Sequence, residues 1–341
     1  MGVSQKLDVH CKPNSVIIPN VMLDKKIHTL IIPETYTNER LDQTLARLMP
    51  EYSRTQIQEW IAAGLVLVNG KAMKARTKVK GRESVSIEIT LKIQPQWEAQ
   101  HIPLNIVHED EAIIIINKPV GMVVHPGAGN ADRTLLNALL YHAPQLQALP
   151  RAGILHRLDK DTSGLLVIAK TAAALKDLSH QLKKREILRE YQAIVYGVMI
   201  SGGTVDAPIE RHPVQRKRMA VIDTGRTAIT HYRVAEKYRV NTRLKIRLET
   251  GRTHQIRVHM SHIHHPIVGD IAYGGRVQLA KDMTPELIQL LRNFKRQALH
   301  AFALGFIHPL THEFTRWEIE LPDDMKQLIN ELRNDVTRNR E

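Results

Sequence analysis

Apolar positions along the chain change period several times, and each change marks an element. Leu41, Leu45, Leu48 and Met49 recur at helical spacing after Asn38, a candidate cap, and Pro50 ends the run. Ser53 is placed to cap a second helix carrying Ile57, Trp60 and Ile61, ending near Gly64. Val66 and Val68 alternate before an Asn69-Gly70 turn, and Val85, Ile87 and Ile89 alternate after it, so strands are predicted on both sides. Residues 27–33 read as a further short strand. A small domain of helices and short strands is therefore expected over residues 27–91. Residues 1–26 keep no period and read as a flexible leader. The polar stretch 92–101, which holds Pro95, reads as a linker.

A longer domain is expected over residues 102–336, with 337–341 as a tail. Val107 and the run 113–116 open its sheet. Residues 135–140 and 172–182 suit helices, and 191–196, 227–234 and 244–248 suit strands. Met325, Leu328, Ile329, Leu332 and Val336 form one stripe of a last helix after Asp323, a candidate cap. There is no internal repeat. Gly127-Ala128-Gly129 is followed by Asn130 rather than a third spaced glycine, which argues against a dinucleotide-binding fold.

With 341 residues, the chain has room for two domains. Its net charge of +13 favours a polyanionic partner. No apolar run is long enough for a membrane span, and the amino terminus lacks a signal-peptide core, so a cytoplasmic protein is expected. Cys11 is the single cysteine, which excludes an internal disulfide framework and a cysteine cluster for zinc. His254, His259, His262, His264 and His265 crowd one segment, but their spacing fits no standard zinc pattern, and no metal is expected.

The densest chemistry lies in HRLDKDTSGLLVIAK, residues 156–170. Charged residues run directly into a short apolar segment that begins after Gly164 and reads as a buried strand. A carboxylate there, Asp159 between Arg157 and Lys160, would be held rigidly at the edge of a core. Four further segments are distinctive: NKPVGMVVHPG at 117–127, REYQAIVYG at 189–197, LETGRTHQIRVHM at 248–260 and HPIVGDIAYGG at 265–275.

Together these segments resemble the motifs of the RNA pseudouridine synthases that act on ribosomal large-subunit and transfer RNA. The small domain resembles the S4-like RNA-binding domain, through Arg40-Leu41-Asp42, Ser53-Arg54 with Gln56, and residues 64–70. The resemblance implies an α+β chain: a catalytic domain with a mixed, mainly antiparallel sheet and flanking helices, preceded by the S4-like domain. It implies Asp159 as the catalytic carboxylate, Tyr191 as the key aromatic and Arg257 as the cation paired with Asp159. Arg157 is implied to fill the gap left by a flipped nucleotide. HPGAGN at 125–130, Arg211-His212-Pro213 and RQALHA at 296–301 favour the branch acting on 23S ribosomal RNA, with the loop of helix 69 as the expected target.

Uridine and pseudouridine are isomers, so no cofactor is expected. The reaction needs a carboxylate near the sugar, a floor for the base and help in removing the C5 proton. Asp159 either attacks C1′ or takes a proton from C2′; the sequence leaves both open. Tyr191 offers a ring and a phenol. Phosphate contacts are expected from Arg54, Lys71, Lys74 and Arg76 in the small domain, and from Lys183, Lys184, Arg185, Arg216, Lys217 and Arg218 in the large one. The expected partner is large-subunit ribosomal RNA or its precursor particle, met by a monomer away from any membrane. The alternatives are a paralogous enzyme acting on other ribosomal or transfer-RNA uridines, and a non-catalytic RNA-binding assembly factor.

Overall fold

The computed structural model describes residues 23–50, 52–92, 97–127 and 129–339. The chain divides into two compact units, residues 1–96 and 97–341. The leader expected at 1–26 falls mostly outside the described residues, as do residues 93–96 of the expected linker.

In the first unit, β1 (Leu23–Ile31), α1 (Leu41–Leu48), α2 (Arg54–Ala62), β2 (Val66–Val68), β3 (Lys71–Ala72) and β4 (Ser84–Lys92) follow in order. The strands form an antiparallel sheet in the order β1-β4-β2-β3. Leu41, Leu45, Ile57, Trp60, Ile61, Val66, Val68, Val85 and Ile87 meet in its core. Asn69 and Gly70 both take positive φ, 47° and 75°, which is the pair of angles a two-residue hairpin needs. The Ser53 hydroxyl caps α2 by accepting the Gln56 N–H at 3.2 Å.

Two local expectations differ. β1 starts at Leu23, four residues before the expected strand, because its pairing with β4 continues to Lys92. Asn38 does not cap α1; it turns with φ 70°, and Arg40 holds the cap position without a side-chain cap bond. The first N–H groups of α1 find carbonyls in a neighbouring loop instead: Leu41 donates to Thr77 at 2.8 Å and Asp42 to Ala75 at 3.1 Å.

The second unit contains β5 (Ile106–Glu109), β6 (Ile113–Lys118), α3 (Leu135–His142), β7 (Ser163–Ala169), α4 (Ala172–Lys184) and β8 (Leu188–Tyr196). There follow β9 (Gly203–Asp206), β10 (Ile209–Arg211), β11 (Met219–Val221), β12 (Ile229–Lys237), β13 (Asn241–Leu248) and α5 (Gln255–His262). The unit ends with α6 (Pro285–Asn293), β14 (Leu299–Ile307), β15 (Phe314–Glu318) and α7 (Asp323–Arg338). Among the described residues, the main sheet runs β5-β6-β7-β14-β8-β13-β12-β9, with β15 on β14; β10 and β11 form a separate hairpin. Only the β7–β14 pairing is parallel, so the sheet is mixed and mainly antiparallel, in an α+β fold as expected.

The central strands are apolar throughout because both faces are covered. Ile113, Ile115, Leu165 and Val167 pack with Leu178 of α4. Ile114, Ile116, Leu166 and Ile168 pack on the other face with residues of α3 and α7. The four isoleucines of β6 are fully buried, and each such burial is worth about 1.5–3 kcal/mol.

The expected linker does not extend to residue 101. Trp97 packs against the large core, the Asn137 side chain donates to the Glu98 carbonyl at 2.8 Å, and the Gln100 N–H donates to the Asn137 carbonyl at 3.0 Å. Asp323 is the first residue of α7 rather than its cap. The Pro322 carbonyl accepts from Met325 and Lys326, and the helix runs on to Arg338, into the expected tail.

Candidate active site

Asp159 lies on the turn that feeds β7, and that turn is fastened on both sides. The Asp159 carbonyl accepts the Thr162 N–H at 3.1 Å. The Lys160 carbonyl accepts from the Gly121 N–H at 2.9 Å and from Lys118 Nζ at 3.0 Å. Lys118 is fully buried and also donates to the carbonyls of Pro119 and Met122, so its ammonium is spent on holding two loops together. Burial pulls its pKa down to about 8, against the opposing pull of Asp161 and Asp159. Downstream, Gln297 donates to the Thr162 hydroxyl at 2.9 Å, and Ser163 pairs with His300 at 2.8 Å. Gly164 is required at this point. Its φ is 119°, and a Cβ would stand 2.2 Å from the Ala301 carbonyl oxygen of the parallel strand.

Opposite this turn, α5 presents Arg257. Its Nη1 donates to Asp159 Oδ2 at 3.0 Å. Its Nε and Nη2 donate to the two oxygens of Asp270, at 2.7 and 2.9 Å. Asp270 is buried and is itself oriented by the N–H groups of Ala272 and Tyr273. Burial disfavours the Arg257 charge, but the carboxylates of Asp270 and Asp159 outweigh it and hold the guanidinium charged more firmly than usual. The Tyr273 ring lies 5.0 Å from the Arg257 guanidinium and 5.1 Å from that of Arg218.

A cavity of about 500 Å³ opens beside the Asp159 carboxylate. Its walls include Val124, His125, Arg157, Asp159, His254 and Arg257. That size falls within the roughly 300–1,000 Å³ of small-molecule sites, room for one unstacked nucleotide. Arg157 is exposed at this cavity. Tyr191 is placed differently. It sits in β8 between Ile246 of β13 and Ala301 of β14, is 5% exposed, and is absent from the cavity wall. Burial pushes its phenol pKa up, Arg189 pulls it back in part, and the negative charge of Asp159 adds to the rise.

The cationic candidates fall into separate groups. Lys71, Lys74 and Arg76 are exposed along and after β3. Arg54 is exposed as well, and it donates to Asp42 at 2.8 and 3.0 Å, where Arg40 and Gln58 also converge. Lys183 and Lys184 are exposed at the end of α4, and Arg185 pairs with Glu249. Arg216 and Lys217 are exposed in the loop joining β10 to β11, while Arg218 is turned onto Tyr273.

The crowded histidines find different partners: His254 meets Tyr273, His259 lies between Thr230 and Ala207, and His265 meets the Tyr196 carbonyl. Among the described residues, a different trio, His108, Asp110 and His308, comes close enough to share an ion. Its hydrogen bonding opposes that use. His308 Nδ1 accepts from the N–H groups of Leu310 and Thr311, which leaves Nε2 carrying the hydrogen it gives to Asp110 at 2.8 Å.

Asp270, Tyr273 and His254 were not singled out from the sequence as parts of this site. The signal for Asp270 was a single acid in the otherwise uncharged stretch 266–275, a setting in which a buried carboxylate needs a partner.

The RNA pseudouridylate synthase family model matches residues 112–262, and the S4 domain model matches residues 39–85. The chain is 54% identical over 308 residues to the ribosomal large subunit pseudouridine synthase D of Escherichia coli, covering 90% of this chain and 94% of that protein. It is 49% identical over 316 residues to the enzyme of the same name from Xanthomonas campestris, covering 93% and 96%. Among solved structures, human RNA pseudouridylate synthase domain containing 4 superposes with a TM-score of 0.53 at 26% identity, covering 67% of this chain and 93% of that one. With similarity along most of its length, and with two of the motif segments meeting in the Asp159–Arg257 pair, the chain belongs to the RNA pseudouridylate synthase family and is an RNA pseudouridine synthase.

Proposed function

We propose that this enzyme isomerises uridine in 23S ribosomal RNA, in the loop of helix 69, acting as a cytoplasmic monomer on free RNA or a precursor particle. The large-subunit target is supported by the similarity to enzymes named for it along about nine-tenths of the chain. The chemistry is carried by one observation: the Asp159 carboxylate stands at a nucleotide-sized cavity, fixed by Arg257, which is fixed in turn by buried Asp270.

The target base leaves its stack and enters the cavity. Arg157, exposed at the cavity, takes the vacated space in the RNA. Asp159 then acts at the sugar, by attack at C1′ or by removal of the C2′ proton, and the C1′–N1 bond breaks. The base turns and C5 joins C1′, displacing the Asp159 carboxylate in the first case and, in the second, with the C2′ proton returned from Asp159. C5 loses its proton and N1 gains one, so atoms balance with no cofactor. Arg257 neutralises and aims the carboxylate throughout. Tyr191, off the wall of the cavity as it stands, comes against the base only when the nucleotide enters, and there its hydroxyl assists removal of the C5 proton. Exposed Lys71, Lys74, Arg76, Lys183, Lys184, Arg216 and Lys217 hold phosphates.

Because C5 loses its hydrogen, 23S RNA labelled with tritium at C5 of uridine reports turnover directly. The wild-type enzyme should release tritium, and Asp159→Asn should bind the RNA and release none. Release by Asp159→Asn near the wild-type rate would overturn the assignment of Asp159.

A further inference from the structure

The Arg257 contact uses only one oxygen of Asp159. The other, Oδ1, faces His254 Nε2 across 3.9 Å, too far for a direct hydrogen bond. Both side chains line the cavity and both retain some exposure there, 23% for His254 and 16% for Asp159.

The hydrogen on His254 can be located from its neighbours. The Tyr273 oxygen accepts the Met219 N–H at 2.8 Å and lies 2.8 Å from His254 Nδ1. Among the described contacts, Nδ1 is the acceptor available to the phenol hydrogen, and the arrangement in which Tyr273 donates to Nδ1 satisfies both groups. Burial and Arg257 favour the neutral ring, although Asp159 opposes them. A neutral ring that accepts at Nδ1 carries its hydrogen on Nε2. A donor therefore faces an acceptor across a gap one atom wide. An oxygen about 2.8 Å from both would see them at an angle of roughly 90°, and it must accept from one and donate to the other. A hydroxyl meets that requirement.

We propose that His254 Nε2–H and Asp159 Oδ1 together hold the 2′-hydroxyl of the target nucleotide, so that the site selects ribose at the target position. This rests on the reading of Asp159 as the group acting at C1′ or C2′. On those carbons, within a chain whose 3′ and 5′ oxygens are esterified, the 2′-hydroxyl is the free hydroxyl. His254 is thereby a substrate-positioning and specificity residue. It also joins the carboxylate to the β10–β11 hairpin, through Tyr273 and the Met219 N–H.

The test uses a helix 69 stem-loop RNA with one modifiable uridine, made either with ribose or with 2′-deoxyribose at that nucleotide. Single-turnover rates at saturating enzyme are compared for wild type, His254→Asn and Tyr273→Phe. Asn is chosen because position 254 has φ 56°, which Asn tolerates. For wild type, the deoxy target should react roughly tenfold to a hundredfold more slowly. His254→Asn should lose a similar factor on the ribose target and little on the deoxy target, so its preference for ribose collapses. Tyr273→Phe, which keeps the ring but frees the tautomer, should move the preference the same way by less. Sugar pucker differs equally for all three enzymes and cancels in the ratio. Equal losses by His254→Asn and Tyr273→Phe on both substrates would overturn the proposal while leaving the enzymatic reading intact. No wild-type preference for ribose over 2′-deoxyribose at the target would likewise overturn the proposal, whereas no turnover of the ribose target would count against helix 69 as the substrate.

Discussion

A carboxylate that works at a sugar carbon needs a direction as well as a charge. Here the direction comes from a relay of fixed groups, from backbone N–H to Asp270 to Arg257 to Asp159. The fork of the guanidinium allows one face to be held while the remaining Nη1 serves the carboxylate, which a lysine cannot reproduce. Tyr191 presents the sharper question. Its phenol is buried, and burial raises its pKa, so the proposed role falls to the hydroxyl rather than to a phenolate. Tyr191→Phe keeps the ring and removes that hydroxyl. Single-turnover rates should fall about a hundredfold to ten-thousandfold with RNA affinity unchanged. A rate within a few-fold of wild type would confine Tyr191 to stacking. The Asp159–Arg257 pair could be anticipated from the sequence because each partner sits in its own contiguous motif. The contacts of Asp270 and His254 could not, because they form only when residues on either side of α5 meet Arg257 and the turn before β7.

Elements were legible wherever a single period ran unbroken. Strand β6 and the strand after Gly164 were plain as apolar runs, and α2 announced its cap in Ser53. The start of α1 was not, because its N–H groups are satisfied by carbonyls of Thr77 and Ala75, which lie far along the chain. Arg54 shows the same limit: a basic residue after a cap reads as a phosphate contact, and its ion pair with Asp42 appears only in the fold. That carboxylate is fully buried, yet the hydrogen bonds from Arg40, Gln58 and Arg54 overcome the effect of burial and lower its pKa from 3.8 to about 2. A depressed carboxylate stabilises the fold above its unfolded pKa, and the contribution is lost as pH falls through the folded value. Asp42 should thus contribute about 2 kcal/mol above pH 4, fading toward pH 2. Amide exchange in α1 and α2 of the whole protein should show protection falling across that window in wild type and a flatter profile in Asp42→Asn. Identical profiles would remove Asp42 from the account. The β10–β11 hairpin makes a separate claim. Replacing Arg216 and Lys217 by Ser should weaken RNA binding and lower the salt slope by about 1 for each lost phosphate contact. An unchanged slope would make the loop an ordinary solvated surface.

At the scale of the molecule, a net charge of +13 is divided over two units that carry different tasks. The first matches the S4 domain and exposes Lys71, Lys74 and Arg76; the second holds the cavity and Asp159. The two-part organisation could be read from the change of period near residue 92. Its finer edge could not, because Trp97, Glu98 and Gln100 look like linker residues until α3 supplies their partners. Among the described residues no helix is long and apolar enough to cross a membrane. We propose that this chain places pseudouridine in the loop of helix 69 through Asp159. The most direct measurement maps pseudouridines, position by position, in 23S RNA from cells lacking the protein, then from the same cells given back wild type or Asp159→Asn. The loop should lose its pseudouridines in the deletion, regain them with wild type and stay unmodified with Asp159→Asn. Pseudouridines that persist in the deletion, or return with Asp159→Asn, would contradict this proposal.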